Sequence, residues 1–295
     1  MQPAGAKVED ISAYLTQLWA NPAVRQQRHL QLREIHTVYL TNEAPDTFSW
    51  ATPHIAQWLA TNPDFRGKGR LLDVGCGGGH YLTALVPKFA HFGIGLDKKV
   101  IVATKNSQID WVQADALNLP FGAETFDAAM ANRMLNQTGD IARALSEIQR
   151  VLQPGNLLFV VTTDHKRGPL LQTIHEEALQ QLAFPPWLYA HSTLPMQRLN
   201  YENGPSWLQR SGFQHLQLEE YERLLRFEKL DEAMEHYATG LIFQKSEGFD
   251  EPEIRPALWA TLYFTVKANL AEILGRFGHI EISEGATLFI AKKEV

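Results

Sequence analysis

From Arg70 onward, short apolar runs alternate with amphipathic stretches, and this alternation predicts the fold. Leu71–Val74, Phe92–Leu96, Trp111–Gln113, Phe126–Ala131 and Leu157–Thr162 each read as a short buried strand. The last is a nearly continuous apolar run, as a central parallel strand covered on both faces should be. His80–Phe89 and Val100–Lys105 read as helices, and Ile141, Leu145, Ile148 and Leu152 recur on one helical face. Gln153-Pro154-Gly155 is a turn signal ahead of the fifth strand. Strands and helices in alternation predict an α/β fold with a doubly wound parallel sheet. Right-handed crossovers then gather the C-terminal strand ends on one edge, where open α/β sheets bind ligands.

On either side the pattern changes. Three helices are expected before the first strand. Val8, Ile11, Leu15 and Leu18 share a face of one, and Asn21-Pro22 supplies an N-cap and first-turn proline for a second that runs towards Leu40. Thr52-Pro53 repeats that signature before Ile55, Trp58 and Leu59. Asn62-Pro63 and Gly67-Lys68-Gly69 read as a linker. After Thr163 a helix is expected over Leu170–Leu182, then a loop rich in proline and aromatics over Phe184–Pro195, and a strand at Phe213–Leu218. Helices follow at about Asp231–Phe243 and Arg255–Gly275, and Thr287–Ala291 closes the chain as an apolar strand. The expected division is an N-terminal helical cap over 1–65, a sheet domain over 66–220 and 276–295, and a helical insert over 221–275.

Composition narrows the class. Of 295 residues, 45% are hydrophobic and 20% charged, the balance of an ordinary globular protein. A net charge of −6 counts against nucleic acid as a partner, since phosphate contacts need a basic face. Cys76 is the single cysteine, so no intrachain disulfide can form and a reducing compartment is expected. No apolar run reaches the roughly 20 residues of a membrane span. The N-terminal residues lack the apolar segment of a signal peptide, so a cytoplasmic protein is expected.

The stretch Leu71-Leu72-Asp73-Val74-Gly75-Cys76-Gly77-Gly78-Gly79 carries most of the chemistry. A strand ends in an acid, and Gly75, Gly77 and Gly79 then lead into a helix. Glycines let the backbone close on a ligand and tolerate positive φ in a tight turn. The spacing is Asp-x-Gly-x-Gly-x-Gly rather than Gly-x-Gly-x-x-Gly, with His80 at the third position after Gly77. This departs from the nicotinamide-dinucleotide fingerprint and points to S-adenosylmethionine. Asp73 is placed to hold the turn and reach the ammonium of a methionine moiety. Asp97 ends the second strand about 20 residues on, where an acid takes ribose hydroxyls, with Lys98 beside it. Asp115 follows the third strand, where its carboxylate can meet an adenine amine and the Ala116 N–H a ring nitrogen. Cys76 reads as a small structural side chain, since nothing nearby would activate it. Asn132 and Arg133 follow the fourth strand, beside the acceptor and the methionine end.

Leu71–Gly79, Gly95-Leu96-Asp97, Ala114–Phe121, Phe126–Ala131 and Ala144–Gly155 together resemble the successive motifs of class I S-adenosylmethionine-dependent methyltransferases. The branch is that of the ubiquinone/menaquinone-type and other small-molecule enzymes. The resemblance covers about half the chain. It implies a Rossmann-like sheet of about seven strands with the last antiparallel, which suits Thr287–Ala291. It also implies that Asp97 holds the ribose and Asp115 the adenine. Two departures stand out. Gln137 occupies the place where many relatives carry a histidine, and Asn132-Arg133-Met134-Leu135 is not the Asn/Asp-Pro-Pro-aromatic signature of amine methylation on nucleobases.

The expected reaction is in-line methyl transfer to a small, apolar or aromatic metabolite. A base is needed only if the acceptor keeps a proton. His36, Tyr39 and His165 are the candidates; by helical spacing His36 shares a face with His29 and Arg33, and Tyr39 one with His36. No metal is expected. Beyond the acceptor, a homodimer is one open reading: the aromatic segment Phe184–Tyr189 and the helical insert Tyr221–Gly275 suit either an apolar pocket or a dimer surface. The rival readings are an RNA or protein methyltransferase, a dinucleotide-dependent oxidoreductase and a cofactor-binding protein without turnover.

Overall fold

The expected strands form one sheet in a computed structural model, which describes residues 45–62, 65, 69–99, 106–164, 170–182, 199–239 and 255–294. They are β1 (Arg70–Val74), β2 (Phe92–Asp97), β3 (Ile109–Gln113), β4 (Phe126–Asn132), β5 (Leu152–Asp164), β6 (Phe213–Phe227) and β7 (Ile280–Lys293). The order across the sheet is β3-β2-β1-β4-β5-β7-β6. β1 pairs in parallel with β2 and β4, β2 with β3, and β4 with β5. β7 runs antiparallel to β5, from Leu157↔Lys292 to Asp164↔Gly285. The order reverses between β1 and β4, so the crevice above that pair is the switch point where such sheets take ligands.

Helices α1 (Pro45–Thr61), α2 (His80–Phe89), α3 (Ile141–Val151), α4 (Leu170–Gln181), α5 (Gly204–Arg210), α6 (Leu230–Thr239) and α7 (Arg255–Phe277) complete the described elements. The described residues divide into two compact units: 45–164, 199–222 and 285–294 in one, and 170–182, 223–239 and 255–284 in the other.

In the first unit each sheet face buries its own core. Leu72, Ala129, Ala131, Leu158 and Val160 face Leu145 and Ile148 of α3. Leu71, Ala128, Met130, Phe159 and Val161 face Ile55 and Leu59 of α1 and Leu82, Leu85 and Val86 of α2. Alternate residues of each strand thus serve opposite faces, as the period of two requires. In the second unit α4, α6 and α7 bury Ile174, Ala178, Met234, Leu262, Val266 and Leu270 together. Inside that cluster, His175 Nδ1 and the Tyr237 hydroxyl share a hydrogen bond at 2.8 Å.

Several sequence readings shift. Thr52-Pro53 does not start a helix: α1 begins at Pro45 and holds Pro53 in its interior. Side chains take up nearby carbonyls, Thr52 Oγ1 donating to Phe48 O at 2.7 Å and His54 Nδ1 lying 2.8 Å from Trp50 O. The turn signal at Gln153–Gly155 falls inside β5, as an irregularity where the register passes from Phe126↔Leu152 to Ala128↔Leu157. Gly155 there has φ 76°. β6 continues to Phe227, so the first residues of the stretch read as a helical insert are strand. α5 was not expected from the sequence. The helices read before residue 45, the short helix at 100–105 and the aromatic segment 184–195 lie outside the described residues.

Candidate active site

β1 delivers its last residues into a turn anchored on β2. Gly75 and Cys76 both donate backbone N–H groups to Leu96 O, at 2.7 and 3.0 Å, and Gly79 N–H closes on Cys76 O at 2.8 Å. Gly79 then caps α2 in the left-handed conformation, with φ 74°. The three glycines serve different ends. A Cβ on Gly75 would stand 2.5 Å from Met134 Cβ, and one on Gly79 would overlap the Trp111 indole. A Cβ on Gly77 would meet nothing within 4 Å, although its φ is 51°. All three take positive φ; Gly75 and Gly79 answer to packing as well, whereas Gly77 faces open space.

The acids issue from adjacent strands. Asp73 is 1% exposed at the end of β1. Asp97 closes the loop from the side: its Oδ2 accepts the Gly77 N–H at 3.0 Å and its Oδ1 the Lys99 N–H at 2.9 Å. Each oxygen keeps a lone pair for a further donor. Asp115 Oδ1 accepts the Leu117 N–H at 3.0 Å and its Oδ2 the Lys98 ammonium at 3.2 Å. The Leu117 hydrogen bond, and next the Lys98 contact, hold its carboxyl below the usual range. Ala116, beside it, is buried.

Asn132 ends β4 at 5% exposure, and neither atom of its amide finds a partner among the described residues. A buried amide without hydrogen bonds costs about 1–3 kcal/mol. By register Asp73 pairs with Met130, which puts Asp73 and Asn132 on the same sheet face of neighbouring strands. Arg133 follows in the left-handed region at φ 57°, its N–H on Val161 O at 2.7 Å and its carbonyl accepting from Gln137 Nε2 at 2.8 Å. Gln137, at the position of the relatives' histidine, is thus exposed and engaged in holding that turn.

Cys76 is buried, and burial together with the Asp73 and Asp97 carboxylates pushes its thiol up, away from thiolate chemistry. His36, Tyr39 and His165 lie outside the described residues.

A family model described as a methyltransferase domain matches residues 72–160, the run from β1 into β5. Over 150 residues the chain is 32% identical to the 2-phytyl-1,4-naphtoquinone methyltransferase of Thermosynechococcus vestitus, covering 48% of this chain and 67% of that one. The chain belongs to the class I S-adenosylmethionine-dependent methyltransferases. A demethylmenaquinone methyltransferase of Corynebacterium kroppenstedtii is 34% identical over 114 residues, 38% of this chain and 49% of its own. The chain spans about half to two thirds of the length of the curated relatives it matches. Among solved structures, the YcgJ protein of Bacillus subtilis gives a TM-score of 0.50 at 16% identity, covering 82% of this chain and 99% of that one. At that identity the likeness concerns the Rossmann-like fold alone.

The site fits the donor of this methyltransferase family on its own chemistry. Two carboxylates with lone pairs to spare, an open face at Gly77 and the Asn132 amide match a diol, an adenine and a zwitterionic amino-acid end. Two features of the methyltransferase site were not legible from local sequence. Trp111 covers both Gly79 and Gly95, where a Cβ would overlap its indole. Two glycines facing a tryptophan on the next strand were the only signal. Glu147, an acid inside the apolar face of α3, hydrogen-bonds the loop after β3. Among the described residues no helix is long and apolar enough to cross a membrane.

Proposed function

We propose that this chain transfers the methyl group of S-adenosylmethionine to a small, apolar, ring-bearing metabolite. The observation that carries the reading is the Asp97 carboxylate. It ties down the glycine loop through Gly77 while keeping one lone pair on each oxygen for a vicinal diol. The two relatives named above act on naphthoquinone-type and menaquinone-type acceptors by name, which supports an acceptor of that chemical class.

When bound, the sulfonium of the donor supplies an already activated methyl group. The protein's task is then alignment, with reacting atoms about 3–3.5 Å apart and in line. In this reading Asp97 takes the ribose hydroxyls, and Asp115 takes the adenine amine beside the Ala116 N–H. Lys98, paired with Asp115, fixes that carboxylate's second oxygen. Asp73 and the loop of Gly75, Cys76, Gly77 and Gly79 receive the methionine end, and Asn132 offers its amide there. Burial of Asp73 and Asn132 keeps water from competing for these groups. A proton on the acceptor would pass to His36, Tyr39 or His165, the base candidates of the sequence.

Methyl-labelled donor with parallel acceptors tests the reading. Alkylated naphthoquinols are expected to take up label, and transfer RNA and peptides are not. Label appearing only in RNA or peptide would overturn it.

A further inference from the structure

Helix α3 turns three charged side chains onto the loop that follows β3. Arg143 Nε donates to Leu117 O at 3.1 Å, and Arg150 donates to Leu119 O at 3.0 Å and to Phe121 O at 2.8 Å. Glu147 Oε2 accepts the Leu119 N–H at 2.9 Å. The residues reached, Leu117, Leu119 and Phe121, lie in the turns and bends between β3 and β4, which open with Asn118 N–H donating to Asp115 O at 3.0 Å. Glu147 is 5% exposed and serves both guanidinium groups. Its Oε1 is 3.1 Å from Arg150 Nε and 3.6 Å from the nearer Arg143 terminal nitrogen. The Arg150 hydrogen bonds hold its carboxyl below the usual range.

Leu117 joins this clamp to Asp115. Its N–H donates to Asp115 Oδ1 at 3.0 Å, while its carbonyl accepts from Arg143. A loop residue held at both its N–H and its C=O cannot turn, and the carboxylate oxygen bonded to it keeps a set direction.

We propose that Arg143, braced by Glu147, is a positioning residue that aims Asp115 and thereby makes the donor site selective for adenine. This rests on the reading that Asp115 accepts a hydrogen bond from the adenine exocyclic amine. In hypoxanthine a carbonyl oxygen replaces that amine, and a fixed carboxylate would face it acceptor to acceptor. A carboxylate free to swing avoids the clash and also loses the bond, so selectivity falls.

The test compares S-adenosylhomocysteine with S-inosylhomocysteine by titration of the wild-type chain, Arg143→Gln and Glu147→Gln. The Arg143 side chain is 53% exposed, so its replacement leaves the apolar core intact. The wild type should prefer the adenosyl ligand by about tenfold or more. Both variants should narrow that ratio about fivefold, adenosyl binding weakening as the bond is lost and inosyl binding tightening as the clash is relieved. An unchanged ratio in Arg143→Gln, or equal weakening of both ligands, overturns the positioning role and leaves the donor site standing. A wild-type chain that binds neither ligand overturns the donor site itself.

Discussion

The indole of Trp111 occupies the space that a side chain on Gly79 would need. A strand residue from β3 therefore dictates glycine at the start of α2, which locks the loop conformation from outside the loop. Gly77 sits two residues away under no such constraint. Alanine at Gly79 should destabilise the protein by about 2–4 kcal/mol, from overpacking and from positive φ together. Alanine at Gly77 should cost only about 1 kcal/mol through φ, a shift in melting temperature of about 2–4 °C, yet weaken S-adenosylhomocysteine binding by about tenfold or more. Thermal denaturation beside titration separates the two. Equal stability losses would mean that Gly77 is a packing residue as well.

Asp97 holds the glycine loop and, in the proposed function, also takes the donor's ribose. Asp97→Asn keeps an oxygen for the Gly77 N–H and replaces the other acceptor by a donor. Donor affinity is expected to fall about 10- to 100-fold, the worth of one charge-assisted hydrogen bond. Because the Gly77 tie is kept and the Lys99 N–H that loses its acceptor belongs to an exposed residue, the melting temperature should move little. Calorimetric titration reads the first effect and a thermal scan the second.

Glu147 sits in the core with its hydrogen bonds met. Glu147→Ala strips the buried Leu119 N–H of its acceptor and leaves Arg150 without its carboxylate. The expected loss is about 3 kcal/mol. Denaturant unfolding measures it, and the Gln variant should lose clearly less, since its amide oxygen still accepts from Leu119.

His175 gives the second unit a pH dependence. It is fully buried, and burial alone holds its imidazole down at about 4 from 6.5. Below pH 6.5 the unfolded chain takes a proton that the folded imidazole refuses. This group therefore leaves stability intact above about 6.5 and erodes it as pH falls to about 4, by about 3 kcal/mol in all. Paired replacement of His175→Leu and Tyr237→Phe removes both hydrogen-bonding groups at once. The difference in unfolding free energy between wild type and the double variant should shift by that amount between pH 7 and pH 4. A constant difference would contradict the buried, neutral imidazole.

Legibility followed locality. β1 to β4, α2 and α3 were readable because each packs through residues at its own period, as Leu71, Leu72 and Val74 or Leu145 and Ile148 do. Thr52-Pro53 misled because a threonine–proline pair suits a helix start, while inside α1 Thr52 bonds a carbonyl of the preceding turn. The far end of β6 escaped notice because its half-exposed run of glutamates and arginines lacks a clean apolar alternation. Among the candidate site residues, Asp97 and Asp115 stand out in the sequence by their distance from a glycine loop. Trp111 and the Arg143–Glu147–Arg150 clamp could not, since their partners come from other elements of the fold.

The proposed function requires the cleft at the ends of β1, β2 and β3 to take an adenosyl amino acid rather than a dinucleotide. Titrating the wild-type chain with S-adenosylhomocysteine and, separately, with NAD and NADP tests it most directly. Saturable one-to-one binding of S-adenosylhomocysteine is expected, with no heat from either dinucleotide. Dinucleotide binding with no response to S-adenosylhomocysteine would contradict it.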